Sequence, residues 1–164
     1  PYAEAAAELI ERTNGLADCI FFSMDERDLD FFIRRDVCIG SDGKGYPLDS
    51  PLVGSEKPHP RYYGAIVRFL RLAREQGLCH VGEAVRRVTS AAADMLGLSD
   101  RGRLVPGLAA DITGFDPAAV SDRATYLDPF RRPDGIVHVI VNGRPALRSG
   151  VETRACAGGY ILKR

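Results

Sequence analysis

The sequence predicts an α/β protein in two parts, an α/β part over residues 1–99 and a small β-rich part over 100–164. Three observations predict it. Helix-like and strand-like patterns alternate from Tyr2 to Ile39, which points to parallel strands joined by crossovers. A proline- and glycine-rich loop over 43–60 then leads into apolar residues at helical spacing as far as Leu96. Past Gly97 the texture changes to short apolar runs set between glycines, and "GIVHVIVNGRPALRSG" reads as a strand, a two-residue Asn-Gly turn and a returning strand.

Each element has a local reason. Residues 2–13 are rich in Ala and Glu, carry Leu9 and Ile10 on one side, and meet a helix stop at Asn14-Gly15. "CIFF" at 19–22 is a continuous apolar run that suits a strand covered on both faces. Ser23 and Glu26 have the spacing of a capping box, with Leu29, Phe32 and Ile33 as the apolar face of the helix behind it. Val37, Cys38 and Ile39 form a second strand that leaves the sheet at Gly40, so Asp42 falls at a strand's carboxyl end, where α/β folds gather ligands. Two parallel strands need neighbours on each side, and no further βα units follow. The chain therefore reads as the tail end of a larger α/β body.

The loop over 43–60 has the length of a lid or binding loop. Pro60 opens a helix carried by Tyr63, Ile66, Val67, Leu70 and Ala73 up to Gly77. Val81, Ala84, Val85 and Val88 make another, and Thr89 or Ser90 caps a last one that ends at Gly97.

Composition narrows the function classes. Lys plus Arg number 22 and Asp plus Glu number 22 in 164 residues, so no charge excess favours nucleic acid. Apolar runs are short, which argues against a membrane span, and the first residues lack the pattern of a signal peptide. A cytoplasmic protein is expected. Cys19, Cys38, Cys79 and Cys156 are scattered, make no CxxC pair and read as buried free thiols. The three histidines, His59, His80 and His138, lie far apart and form no His-x-His, so no catalytic metal site can be assembled from recognisable ligands.

Five segments taken in order, "FSMDERDLDFFIRR", "CIGSDG", "HPRYYGAIVRFLR", "EAVRRVTSAAADMLGLSDRGRLVPGLAADITGFDP" and "IVHVIVNGRPAL", resemble the N-acyl-D-amino-acid deacylases, or D-aminoacylases, of the amidohydrolase superfamily. The GSDG followed by a long loop and His-Pro-Arg marks the deacylase branch, whereas the dihydroorotases and hydantoinases tend to carry histidine after that aspartate, where this sequence has Gly43. The resemblance implies a zinc-dependent hydrolase built on a (β/α)8 TIM barrel with a small β-sandwich. This chain would supply the final two strands and the helices after them, and the N-terminal remainder of the barrel would be its partner. A full barrel takes roughly 250 residues. The family's histidine and cysteine ligands are not recognisable in this sequence, so zinc would be held mainly by segments absent here, and the 164 residues alone are expected to be inactive and prone to associate. The sequence also departs from the family at "ADITGFDP", where Thr113 and Gly114 replace the usual apolar pair and weaken a strand.

Residue by residue, Asp42 matches the aspartate that takes the proton of the attacking water and passes it to the leaving amine. Without the resemblance, Asp42-Gly43 is an ordinary turn. Ser41 orients a substrate carboxyl or ties down the turn; His59 faces substrate or is structural; Arg61 clamps a carboxylate or is solvated. Tyr62 and Tyr63 pack their helix, and His80 and His138 are structural. The substrate would be a small N-acyl-D-amino acid. A non-catalytic C-terminal module and a hydantoinase-like cyclic amidohydrolase are the competing readings, and homo-oligomerisation is left open.

Overall fold

The computed structural model describes residues 1–17, 20–45, 47–48, 51 and 57–161. Five helices precede a β-sheet: α1 (Tyr2–Arg12), α2 (Glu26–Ile33), α3 (Arg61–Glu75), α4 (Val81–Val88) and α5 (Ser90–Leu96), then β1 (Ile112–Phe115), β2 (Ile136–Val141), β3 (Arg144–Arg148) and β4 (Val151–Glu152). The order is helices first and sheet last, as the change of texture near Gly97 predicts.

The cap of α2 differs from expectation. Asp25, not Ser23, is the N-cap: its carboxylate accepts from the Arg27 N–H at 2.8 Å and pairs with the Arg27 guanidinium at 2.7 Å. A carboxylate satisfies an orphan amide and also complements the positive end of the helix, which a hydroxyl does not. One predicted start and one predicted end are kept. Pro60 lies in the αR region just before α3, and Gly97, at φ 70°, closes α5 in the left-handed conformation that glycine reaches without strain. His80 caps α4 by accepting from the Gly82 N–H at 3.2 Å. Thr89 does not cap α5 through its side chain, because its hydroxyl donates back to the Val85 carbonyl at 2.7 Å.

The strands expected in the first half do not form ladders among the described residues. Cys19 lies outside them; Ile20–Phe22 and Val37–Ile39 are present without strand pairing. The physical reason is that a β-strand exists only through its partner's backbone. The 37–39 run finds other acceptors and donors: the Ile39 N–H donates to the Arg87 carbonyl at 3.2 Å, and the Val37 carbonyl accepts from the Arg87 guanidinium at 2.8 Å.

The second half makes one antiparallel sheet in the order β1-β2-β3-β4. A single sheet stands where a sandwich is expected, since a second layer needs strands that the described residues do not supply. The predicted Asn-Gly hairpin joins β2 to β3, with Asn142 at φ 48° and Gly143 at φ 76°, both positive as a type I′ turn requires. Ser149 and Gly150 repeat that pair of signs between β3 and the short β4. Thr113 and Gly114 do not abolish β1, which pairs with β2 with an irregularity at Gly114/Phe115. His138 has the expected structural part, accepting from the Ser149 N–H at 3.2 Å.

The core lies between the helices and the segment that precedes β2. Ile33 of α2, Val67, Phe69, Leu70 and Ala73 of α3, Ala84 of α4 and Val120 are buried together, with Phe115 and Ile136 of the sheet packed against them. Gly135 is required here: at φ 78°, a Cβ would stand 2.5 Å from the Val120 nitrogen. Polar clamps fix the same seam, as Arg71 pairs with Asp122 at 2.7 Å and Arg74 donates to the Pro117 and Val120 carbonyls at 2.9 Å. Against the expectation of buried thiols, Cys38 and Cys79 are only half-buried and Cys156 is exposed; for Cys38 the reason is that the 37–39 run has no strand partners to cover it, and all three are free thiols. No described helix is long and apolar enough to cross a membrane.

Much apolar surface is left open. α1 buries none of its residues, and Phe21, Phe22 and Met24 stand exposed, Phe21 at 80 %. One charged side chain runs the other way. Arg87 is 3 % exposed, donates to the Ile33 carbonyl at 2.7 Å and the Val37 carbonyl at 2.8 Å, and lies 4.7 Å from the centre of the Phe69 ring. Truncating it leaves two carbonyls without a donor and removes a cation–π contact. Arg87→Ala is expected to lower unfolding free energy by about 3 kcal/mol, read as a fall in the urea midpoint at unchanged slope.

Candidate active site

The turn over 40–43 lies against the first turn of α3. A Cβ at Gly43 would stand 2.8 Å from the Tyr62 Cα and 3.4 Å from the Arg61 carbonyl, so only a residue without one permits this approach. Asp42 itself is left-handed, at φ 48°, a conformation that aspartate tolerates better than most residues and that is worth about 1–3 kcal/mol of strain when a structure over-determines it. The determinants are visible. The Ser41 hydroxyl accepts from the Gly43 N–H at 3.2 Å, and Arg61 grips Asp42 at two points, Nε donating to the backbone carbonyl at 3.1 Å and Nη2 pairing with Oδ2 at 2.9 Å.

His59 extends this arrangement. Its Nδ1 accepts from the Arg61 N–H at 3.1 Å, an Asx-like closure just before α3, while its Nε2 lies 3.3 Å from the Tyr126 hydroxyl. Tyr126 meets His59 edge to face at 5.1 Å and Phe22 at 4.9 Å. Burial, with the Arg61 charge adding to it, pushes the His59 pKa below its ordinary 6.5, although the Asp42 carboxylate opposes them. The imidazole is therefore held neutral at pH 7.

Ser41, Asp42, His59 and Arg61, the four residues singled out from the sequence, are thus brought into one connected cluster. Ser41 ties the turn. The Asp42 side chain is 87 % exposed and that of Arg61 41 %, so the carboxylate faces outward while its partner is half-covered. His59 is half-buried with both ring nitrogens engaged. Sequence reasoning misses Tyr126: it stands in "RATYLDPF", which has no periodicity and no motif, and only the folding of 116–135 against α3 brings it to the loop histidine. Lys57 marks the same seam by donating to the Leu127 carbonyl at 3.2 Å.

The chemistry open to this cluster is that of an accessible carboxylate with a fixed backbone, able to take and return a proton, beside a guanidinium able to bind an anion. It does not fit a metal unaided: among the described residues no group of three or more His, Cys, Asp or Glu could hold one. His80 and His138 are spent on backbone amides elsewhere.

Comparison with known proteins follows the same residues. The profile of the Amidohydrolase family matches residues 37–147. N-acyl-D-glutamate deacylase from Alcaligenes xylosoxydans xylosoxydans is 40% identical over 129 residues, covering 77% of this chain and 25% of the relative. D-aminoacylase from the same organism is 40% identical over 149 residues, covering 90% of this chain and 29% of the relative. The chain thus spans between a quarter and a third of the length of these relatives. Among solved structures, a D-aminoacylase described with a binuclear metal centre superposes with a TM-score of 0.74 at 37% identity, over 84% of this chain and 28% of that one. N-acyl-D-glutamate deacylase from Bordetella bronchiseptica, complexed with zinc and a phosphonate mimic of the tetrahedral intermediate, gives 0.71 at 34% identity, over 93% and 34%.

The depressed His59 pKa has a consequence for stability. Between the folded value and 6.5 the unfolded chain binds a proton that the folded chain refuses, so the contribution is complete above 6.5 and is lost as pH falls toward the folded value. Stability followed by urea unfolding is expected to decline as pH is lowered through 6.5, and the component due to His59 to vanish in His59→Asn, which keeps an acceptor for the Arg61 amide.

Proposed function

The chain belongs to the amidohydrolase family, and from that premise we propose that it is the part of an N-acyl-D-amino-acid deacylase that carries the catalytic aspartate. The reaction hydrolyses the amide of an N-acyl-D-amino acid to a carboxylate and a D-amino acid. Asp42 takes a proton from the water that attacks the amide carbonyl and returns it to the nitrogen of the departing amine, a transfer that general acid–base catalysis makes worth about 10²–10⁴ in rate. Arg61 orients Asp42 and offers its remaining N–H groups to the substrate carboxylate; Ser41 and His59 hold the turn and the helix entry that set the distance between them. The observation that carries the reading is the two-point grip of Arg61 on a left-handed Asp42, found within a segment 40% identical to a D-aminoacylase over 149 residues.

In this reading residues 1–99 belong to a (β/α)8 barrel and 100–164 to its small β layer. The exposed apolar side chains of α1 and of residues 20–24 support it, since strands and helices of a continuing barrel would cover them. Zinc supplies a Lewis acid to this chemistry when bound, but the described residues do not hold it, so its ligands belong elsewhere in the enzyme.

A second reading, a module without turnover of its own, is favoured by that same lack of a ligand cluster. Metal analysis combined with assays on N-acetyl-D-methionine and on a hydantoin separates the possibilities. The zinc-loaded enzyme is expected to hydrolyse the first and not the second, and Asp42→Asn to lower kcat by at least a hundredfold with zinc content unchanged. Stoichiometric zinc and turnover by the 164 residues alone would contradict the placement of the ligands; hydantoin cleavage would change the substrate class.

A further inference from the structure

The segment between β1 and β2 reaches the cluster around Asp42 at one side chain. Thr125 and Asp128 close a turn around Tyr126: the Thr125 N–H donates to the Asp128 carbonyl at 3.0 Å, and the Asp128 N–H donates to the Thr125 hydroxyl at 3.0 Å. That turn is tied to α3 on both flanks, by the Arg71–Asp122 pair before it and after it by the Phe130 ring, whose centre lies 5.8 Å from that of Tyr63. Lys57 adds a third tether by donating to the Leu127 carbonyl at 3.2 Å. The phenol of Tyr126 is therefore a fixed point on the frame that carries Arg61.

His59 stands between that point and Arg61. The Arg61 backbone N–H donates to His59 Nδ1 at 3.1 Å, and a ring nitrogen that accepts carries no proton. The uncharged imidazole then has its one proton on Nε2, which lies 3.3 Å from the Tyr126 hydroxyl oxygen. The phenol oxygen is the acceptor, and it holds the ring by the nitrogen that Arg61 does not use. The edge-on contacts of the phenol with His59 and Phe22 restrict the imidazole but select no tautomer; the hydroxyl does.

We infer that Tyr126 is a positioning residue of the deacylase reaction: its hydroxyl holds His59 in the Nε2–H form and, through that ring, the entry of α3 from which Arg61 grips Asp42. The inference rests on the deacylase reading, which makes Asp42 the proton-transferring group. Tyr126→Phe and His59→Asn, separately and combined, test it in the zinc-loaded enzyme. Phenylalanine keeps the ring contacts and removes only the acceptor, whereas asparagine keeps an acceptor for the Arg61 amide and has no Nε2 for the phenol to hold. kcat/KM for N-acetyl-D-methionine is expected to fall about fivefold in Tyr126→Phe, the loss that one neutral hydrogen bond carries, and by no more than about 1.5-fold when the same change is made in His59→Asn.

A kcat/KM for Tyr126→Phe within about 1.5-fold of the unmutated enzyme overturns the assignment. So does a loss that recurs in full in the His59→Asn background, because a loosened fold or a direct substrate contact would multiply with the histidine change rather than vanish with it. Nitrogen chemical shifts of the His59 ring give a second readout, one that a mere packing role of the phenol would not move. Nε2 is expected to carry the proton and its resonance to shift in Tyr126→Phe; a proton on Nδ1, or an Nε2 resonance that stays in place, overturns the assignment. Absence of turnover in the unmutated enzyme overturns the deacylase reading itself, which is a different result from an active enzyme that Tyr126→Phe leaves unimpaired.

Discussion

A buried guanidinium organises the half of the chain that carries the site. Arg87 leaves α4 and takes hold of the last carbonyl of α2 and the carbonyl of Val37, while its face lies over Phe69 of α3. In return its own carbonyl accepts from Ile39. Three helices and the run that leads into the Asp42 turn are thereby referred to one planar group. Only arginine has the fork of donors to do this, and only its delocalised charge is weakly enough hydrated to be covered so completely. Its Nη2 has no hydrogen-bond partner among the described residues, so the stability of the arrangement lies in the carbonyls it satisfies rather than in its charge.

From that frame the site is reached by backbone contacts more than by ion pairing. The Arg61–Asp42 pair is too exposed to stabilise the fold by more than a fraction of a kcal/mol, in line with surface pairs in general. Its effect is orientation: with one donor on the backbone carbonyl and another on the carboxylate, the side chain of Asp42 cannot turn without breaking a bond. His59 performs a similar service for Arg61, by accepting the amide that the first residue of α3 would otherwise leave unpaired. A hierarchy of short tethers thus fixes the position of the carboxylate without burying it.

How much of this was legible in the sequence follows from the range of each interaction. Helix α3 and the Asn-Gly hairpin were readable because period and turn chemistry are local. Ser41, Asp42, His59 and Arg61 were readable as a set because a glycine-flanked acid and a histidine between prolines stand out, and because the segments resemble deacylases. The runs at 20–22 and 37–39 look like strands and are not paired as strands, since pairing depends on chain that the pattern of one run cannot reveal. The start of α2 was displaced by two residues because Ser23 and Asp25 both have capping chemistry and only the folded entry angle chooses between them. Tyr126 was illegible for the opposite reason: no local signal exists in an aperiodic stretch 67 positions from its partner.

The contact between Gly43 and the backbone of Tyr62 welds the loop to the helix behind it. Any side chain at position 43 would claim space that α3 fills, so it could be admitted only if the helix withdrew and carried Arg61, with both of its tethers on Asp42, away from the turn.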